Sequence, residues 1–327
     1  MPVPCVRVDR ERGEQTRRRL DAAGLLSETH DIAVEDDALY IPVADPTNVP
    51  ADLAVVDHEA PERDTQTMPA DILGEQPSYE RIGDIVVIDE DDPERARDIA
   101  DAVVASDIPV ATVLNKQSKI KGQERVRDWA VLAGDGTETV HREYGAEFAL
   151  DLATVYFTPR LATERHRVVQ QVTADEHVFD MFAGVGPYAI PMAMRGAEVV
   201  ATDVNEAAIA YLRENARRNG VEDRITSIAG DVREIAPEYE GWADRIVMNL
   251  PHTADEFLDV AVQLASGEAV LHFYDIQHED EPYGPGERAI RGAAGDDYEV
   301  AVETRHEVRT YAPHELNVVL DVRLTRR

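Results

Sequence analysis

The chain has 327 residues, 43% of them hydrophobic, enough for two or three domains with their own cores, and it contains no run of about 18 apolar residues that would cross a membrane. Acidic residues outnumber lysine and arginine 65 to 33, for a net charge of −32. Periodic apolar patterning excludes disorder, so this acidity reads as the surface of a folded protein adapted to high salt, where the Debye length falls to about 3 Å at 1 M. The single cysteine, Cys5, excludes an internal disulfide and a cysteine-rich zinc site, and His166, His252 and His272 are not spaced as metal ligands.

Residues 1–58 read as a small α/β unit. Val6-Arg7-Val8 is a strand, Gly13 to Ala23 an arginine-rich helix, and His30–Val34 and Ala38–Val43 are two further strands, with Pro42 placing the last at a sheet edge. The N-terminus lacks an apolar signal region, so a cytoplasmic protein is expected. Residues 59–80, with Pro61, Pro69 and Pro77 among polar residues, read as a linker.

A middle domain is expected over 81–165. Ile82–Ile88 is a strand, Pro93–Ala105 a helix with Ala96, Ile99, Ala100 and Val103 on one face, and Pro109–Leu114 a buried strand. Short strands follow at Asp128–Leu132, Thr137–Arg142 and Glu147–Asp151. The chain's three lysines, Lys116, Lys119 and Lys121, all fall in one loop of this domain, followed by Arg125 and Arg127; the other 30 of the 33 basic residues are arginine. Lysine kept only here points to a loop that meets a polyanion.

The third domain, 166–327, carries the most informative segment. Val178-Phe179 leads into Asp180-Met181-Phe182-Ala183-Gly184-Val185-Gly186-Pro187, then a helix over Tyr188–Met194 and a strand, Glu198–Thr202, ending on Asp203. This is half of a doubly wound fold with a ligand-binding turn at a strand's carboxyl end. Phe182, Ala183, Gly184 and Gly186 would approach the ligand, and Asp203 would accept hydrogen bonds from a ribose diol. The G-x-G-x-x-A spacing also fits a dinucleotide, whose pyrophosphate would sit at the helix N-terminus. Pro187 removes an amide there and Asp180 adds negative charge, which suits a cationic, amine-bearing ligand such as S-adenosylmethionine. Two later strand ends agree. Ile225–Asp231 puts Asp231 where an adenine amine would lie, and Arg245–Met248 ends in Asn249-Leu250-Pro251-His252, a stiff polar loop over the place where a methyl group would leave. A helix near Ala254–Leu264 and strands at Ala269–Tyr274, Tyr298–Thr304 and Leu316–Leu324 complete the domain. The fold class is α/β: a C-terminal Rossmann-like class I methyltransferase domain preceded by two smaller α/β domains.

Arg125–Gly134, Val155–Arg165, Asp180–Pro187, Asn249-Leu250-Pro251 and Tyr311-Ala312-Pro313 together resemble the archaeal and eukaryotic type of tRNA guanine-N1 methyltransferase, which modifies position 37 beside the anticodon. The resemblance implies S-adenosylmethionine as cofactor. It also implies tRNA as partner, held at its anticodon loop and, by the N-terminal domain, at its outer corner. Guanine N1 carries a proton at neutral pH, so the enzyme needs a base near N1 and a donor near O6. The resemblance assigns the base to Glu164, in Thr163-Glu164-Arg165; Arg125, whose guanidinium is always charged, is the candidate O6 donor, with Arg127 as a competitor that spacing alone does not separate from it. Asn249 would hold the guanine or orient Glu164, and Tyr156, Leu250 and Pro251 would line the cofactor pocket. Lys116, Lys119, Lys121, Arg127, Arg160 and Arg165 are the candidate RNA contacts. A monomer is expected. A wyosine-pathway aminocarboxypropyl transferase on the same fold, a nicotinamide-dependent oxidoreductase and a catalytically silent RNA-binding protein are the competing readings.

Overall fold

The computed structural model describes residues 2–63, 66–119, 122 and 125–327. Its contacts divide it into two compact units, Met1–Met68 and Pro69–Arg327. No described helix is long and apolar enough to cross a membrane.

The first unit comprises β1 (Val3–Asp9), α1 (Gly13–Ala22), β2 (Ala33–Glu35), β3 (Ala38–Pro42) and β4 (Ala54–His58). The strands form an antiparallel sheet in the order β2-β3-β1-β4. Strand alternation turns the register partners Val6 and Ile41 to one face, where they pack with Leu20 of α1 and with Leu25 and Val43. The strand expected over His30–Val34 is shorter and later, and His30 makes only an isolated bridge to Glu62. Pro42 does not mark an edge strand, because β3 lies between β2 and β1. Its missing N–H costs nothing, since pairing with β2 stops at Tyr40.

In the second unit, α2 (Pro69–Leu73) is followed by β5 (Tyr79–Ile82), β6 (Ile85–Ile88), α3 (Pro93–Ala105), β7 (Thr112–Lys116) and β8 (Trp129–Ala133). The strands make a sheet in sequence order. The stretch 59–80 thus contains a helix and part of a strand, and the break in contacts falls after Met68. The single strand expected over Ile82–Ile88 is a hairpin, because Gly83 turns the chain at φ 60°. Helix α3 buries the expected Ala96, Ile99, Ala100 and Val103, and its N-cap Asp92 accepts from the Glu94 amide.

Strands β9 (Glu138–Glu143) and β10 (Ala146–Asp151) form a hairpin through Tyr144-Gly145, both at positive φ. Next come α4 (Ala162–Val169), β11 (His177–Asp180), α5 (Ala189–Met194), β12 (Glu198–Asp203) and α6 (Glu206–Arg218). Helix α6 fixes the hairpin to the rest of the unit. Asn215, fully buried, donates to the Ala149 and Val185 carbonyls and accepts from the Ala149 amide, while Asn219 does the same for Glu147. Two amide side chains one helical turn apart thereby stand in for a neighbouring strand.

The remaining elements are β13 (Ile225–Ala229), α7 (Val232–Ile235), β14 (Ala243–Met248), α8 (Leu258–Leu264), β15 (Ala265–His278), α9 (Gly284–Ala294), β16 (Tyr298–Ala312) and β17 (Glu315–Arg326). The sheet runs β13-β12-β11-β14-β15-β17-β16, parallel from β13 to β15 and antiparallel beyond. Its apolar faces pack into two separate cores, one including Ile190 of α5 and Leu212 of α6, the other Leu258 and Leu264 of α8 and Ile290 of α9. From β11 the chain winds one way to β12 and the other way to β14, which opens a crevice at their carboxyl ends.

Candidate active site

A cavity of about 1510 Å³ occupies that crevice. Its walls carry the glycine turn after β11, the ends of β12 and β13, the loop after β14, the segment Val155–Thr158 and the loop between β7 and β8. A pocket for one drug-sized ligand spans roughly 300–1,000 Å³, so this space admits a nucleoside-sized cofactor and a second planar group together.

The two turn glycines serve different ends. Gly184 has φ 53°, and a Cβ there would meet nothing nearer than the Tyr156 carbonyl at 4.0 Å; it keeps the backbone open towards the cavity. Gly186 has φ 94°, and its Cβ would stand 2.9 Å from Ile190 Cγ1, so its need is close packing of turn on helix. The Gly184 amide donates to Asp203 Oδ2 at 2.7 Å and the Asn205 amide to Oδ1 at 2.9 Å. These amides orient the Asp203 carboxylate and leave it acceptor capacity on the cavity side. Burial raises the pKa of Asp203, against the pull of these amides and of the Arg125 guanidinium.

Asp180 is the more unusual carboxylate. It is 1% exposed and neither oxygen has a hydrogen-bond partner among the described residues; the Phe182 and Ala189 amides pull on it without completing a bond. Burial first, then the like charge of Asp203, pushes its pKa up to about 7. Asp180 stands behind the lining that Met181–Gly184 form, and a bare carboxylate so placed is hostile to a diphosphate.

Tyr156 lies under the Arg125 guanidinium, 4.9 Å from the ring centre, and both line the cavity. Arg125 has φ 57°, which turns the chain sharply just before β8. Phe182 meets Phe257 edge-on at 5.1 Å. Asn249, Leu250 and Pro251 are on the wall; the Thr253 amide donates to Leu250 and the Ile276 amide to Pro251, which pins the loop against β15. Asp231 is on the wall too, but as the N-cap of α7 it is gripped by its neighbour. Arg233 Nε is 2.9 and 3.1 Å from its two oxygens, and this pairing holds its carboxyl below the usual range. An adenine amine there has to share Asp231 with Arg233.

Of the RNA candidates, Lys116 donates to Asp89 at 2.9 Å and Arg127 stacks over Trp129 at 5.5 Å, both on the cavity wall with Lys119. Lys121 lies outside the described residues. Arg160 is exposed and reaches Glu80. Arg165 departs from expectation. It borders the cavity but is 3% exposed, grips Glu143 through Nε and Nη2 at 2.8 and 2.6 Å, and donates to the Thr158 carbonyl, so these two nitrogens are held inside the protein.

Glu164 is likewise buried, at 4%, and stands behind the cavity lining rather than on it. Tyr274 donates to its Oε1 at 2.7 Å, Arg167 binds both oxygens at 2.8 Å, and His306 Nε2 lies 3.6 Å from Oε2. Arg167 also binds both oxygens of Asp321, which faces His272 Nδ1 at 2.6 Å. Arg245 donates to His272 Nε2, so the imidazole is neutral and its proton is directed at Asp321. Burial opposes ionisation of Asp321, but His272 and Arg167 outweigh it and hold its carboxyl far below the usual range. Sequence pattern alone gives no role to Arg167, Tyr274 or Asp321, and sets His272 aside only as a metal ligand. The available signal was a charged or polar residue inside each of two apolar strands, Leu271-His272-Phe273-Tyr274 and Leu320-Asp321-Val322. The same signal marks Asn317, in Leu316-Asn317-Val318-Val319, which reaches the cavity beside Arg309.

Three family models match segments along this chain. The TRM5/TYW2 methyltransferase domain matches residues 139–301, the tRNA methyltransferase 5 N-terminal domain residues 5–51, and the TYW2 N-terminal domain residues 65–137. The tRNA (guanine(37)-N(1))-methyltransferase Trm5b of Pyrococcus abyssi is 40% identical, over 98% of this chain and 99% of its own length. Its crystal structure superposes with a TM-score of 0.76, at 39% identity and 99% coverage of both chains. The complex of aTrm5 with tRNALeu gives 0.74 at 30% identity, over 98% and 99%. A tRNA(Phe) (4-demethylwyosine(37)-C(7)) aminocarboxypropyltransferase of Pyrococcus horikoshii is 35% identical over 75% of this chain and 88% of its own. The chain belongs to the TRM5/TYW2 family of methyltransferases.

Proposed function

We propose that this protein transfers a methyl group from S-adenosylmethionine to N1 of guanosine 37 in tRNA. The observation that carries the reading is the end-to-end match to an enzyme of that activity, first unit included, where the aminocarboxypropyltransferase matches three quarters of the chain. When bound, the cofactor supplies an electrophilic methyl group. Asp203 holds its ribose hydroxyls, Asp180 its ammonium, and Asp231 and Tyr156 its adenine end. Gly184 allows close approach.

The target base has to lose its N1 proton and be held while it does so. Glu164 is the proposed acceptor. One of its present donors must release an oxygen first, and Tyr274 is the neutral one. Arg125 is the proposed donor to O6, where negative charge gathers, because it already lies over Tyr156 on the wall; Asn249 steadies the base from the opposite loop. The target nucleotide flips out of the anticodon loop to enter. Lys116, Lys119 and Arg127 meet phosphates, and the first unit touches the outer corner of the tRNA. The protein works as a monomer in a salty cytoplasm. Incubation with methyl-labelled S-adenosylmethionine and unmodified transcript at high KCl tests this. Label is expected on guanosine-37 transcripts, with a reverse-transcription stop at that position; label that persists on an adenosine-37 transcript contradicts it.

A further inference from the structure

Two buried polar atoms in the cavity wall find no partner among the described residues: Oδ1 of Asn317, a residue 3% exposed, and Nε of Arg309. They lie abreast. Asn317 of β17 pairs with Arg309 of β16 on one side and with Ile276 of β15 on the other. The side chains of directly opposed residues share a sheet face. A register irregularity between Glu307 and Arg309 brings Arg309 onto the face already holding His306, as bulges beside binding sites do. The next row along that face is Tyr274, Val319 and His306, the row on which Glu164 rests. Rows on one face are about 7 Å apart, so the unmatched pair stands one row from the proposed proton acceptor.

The pair offers one acceptor beside one donor. A ligand that satisfies both presents a donor next to an acceptor, and guanine does so beyond N1, with its 2-amino group and N3. Adenine and hypoxanthine keep N3 but carry only hydrogen at C2. We propose that Asn317 and Arg309 read this edge of the target base. Asn317 Oδ1 accepts from the 2-amino group and Arg309 Nε donates to N3, while N1 faces Glu164 one row away. The assignment rests on the reading of the site as a guanine N1 methyltransferase and adds to it the means of choosing guanine. A site built to bond a polar group rejects the analogue that lacks it, because its own buried atom is then left unmatched.

The test is single-turnover methylation of guanosine-37 and inosine-37 transcripts by the intact wild-type protein and by Asn317→Leu and Arg309→Met. The wild type should favour guanosine at least about tenfold. Asn317→Leu should slow guanosine by a similar factor and leave inosine no slower, because no buried acceptor is then left unmatched, which collapses the ratio. Arg309→Met should slow both equally, since both bases keep N3. Equal wild-type rates on the two transcripts overturn the proposal without recourse to a variant. So does an Asn317→Leu protein that binds S-adenosylmethionine normally but slows both substrates alike or neither. Failure of the wild type to methylate guanosine-37 RNA at all overturns the parent reading as well, and is distinguishable from these outcomes.

Discussion

Replacing Asp180 by asparagine should stabilise the free protein and spoil the cofactor site. The folded carboxyl has its pKa raised from 3.8 to about 7, by burial first and then by Asp203. A pKa raised on folding contributes stability that is fully present below the unfolded value and is lost as pH rises through the folded one. Three units at 1.36 kcal/mol each make ionised Asp180 cost about 4 kcal/mol at pH 8 relative to its protonated form. The asparagine side chain is nearly isosteric and never ionises. Denaturant unfolding at fixed high KCl should therefore show Asp180→Asn gaining on the wild type from about pH 4 upwards, by as much as about 4 kcal/mol at pH 8. If Asp180 holds the ammonium as proposed, S-adenosylmethionine should reverse the sign by making the ionised form the favoured one. Wild-type affinity should rise towards pH 7 with release of a proton, seen by calorimetry in buffers of different ionisation enthalpy, and Asp180→Asn should bind at least tenfold more weakly. A wild-type-to-variant difference that is flat with pH, or undiminished binding by Asp180→Asn, would refute the reasoning.

Four further substitutions separate binding, structural and catalytic roles. Gly184→Val should cost roughly 1–3 kcal/mol of backbone strain yet abolish cofactor binding in titration, whereas Gly186→Val, which drives a Cβ to 2.9 Å from Ile190, should lose more stability; the reverse ranking counts against the division of labour. Arg165→Met strands Glu143 in the interior and should destabilise by about 3–5 kcal/mol. The tRNA affinity of the folded variant, read by filter binding, should be unchanged, and a selective loss of RNA binding would return Arg165 to the RNA surface. Glu164→Gln should slow single-turnover methylation by about 10²–10⁴ with S-adenosylmethionine affinity intact, and a near-normal rate would remove it as the proton acceptor.

The glycine turn and strand-end acids of the candidate site were legible because they are local features of the chain. A glycine turn, an acid ahead of it and acids at two later strand ends lie within segments whose strand-turn-helix order is itself set by apolar periodicity. Helix α3 was equally legible, with Pro93 at its start and four apolar residues on one face. The substrate half depends on long-range pairing. That Asn317 opposes Arg309, and that Arg167 joins Glu164 to Asp321, follows from the order β15-β17-β16 and a bulge, which no spacing along the chain encodes. The burial of Arg165 was illegible for the same reason. Its partner Glu143 is 22 residues away, on a hairpin hydrogen-bonded to Asn215 of α6 and to Asn219 at the C-cap of that helix.

Nucleoside mass analysis of position 37, after reaction of the wild-type protein with unmodified tRNA and S-adenosylmethionine at high KCl, tests the central claim most directly. The account predicts 1-methylguanosine at that position and no other new nucleoside. A mass gain corresponding to the aminocarboxypropyl group, or no change at position 37 in folded, cofactor-binding protein, would contradict it.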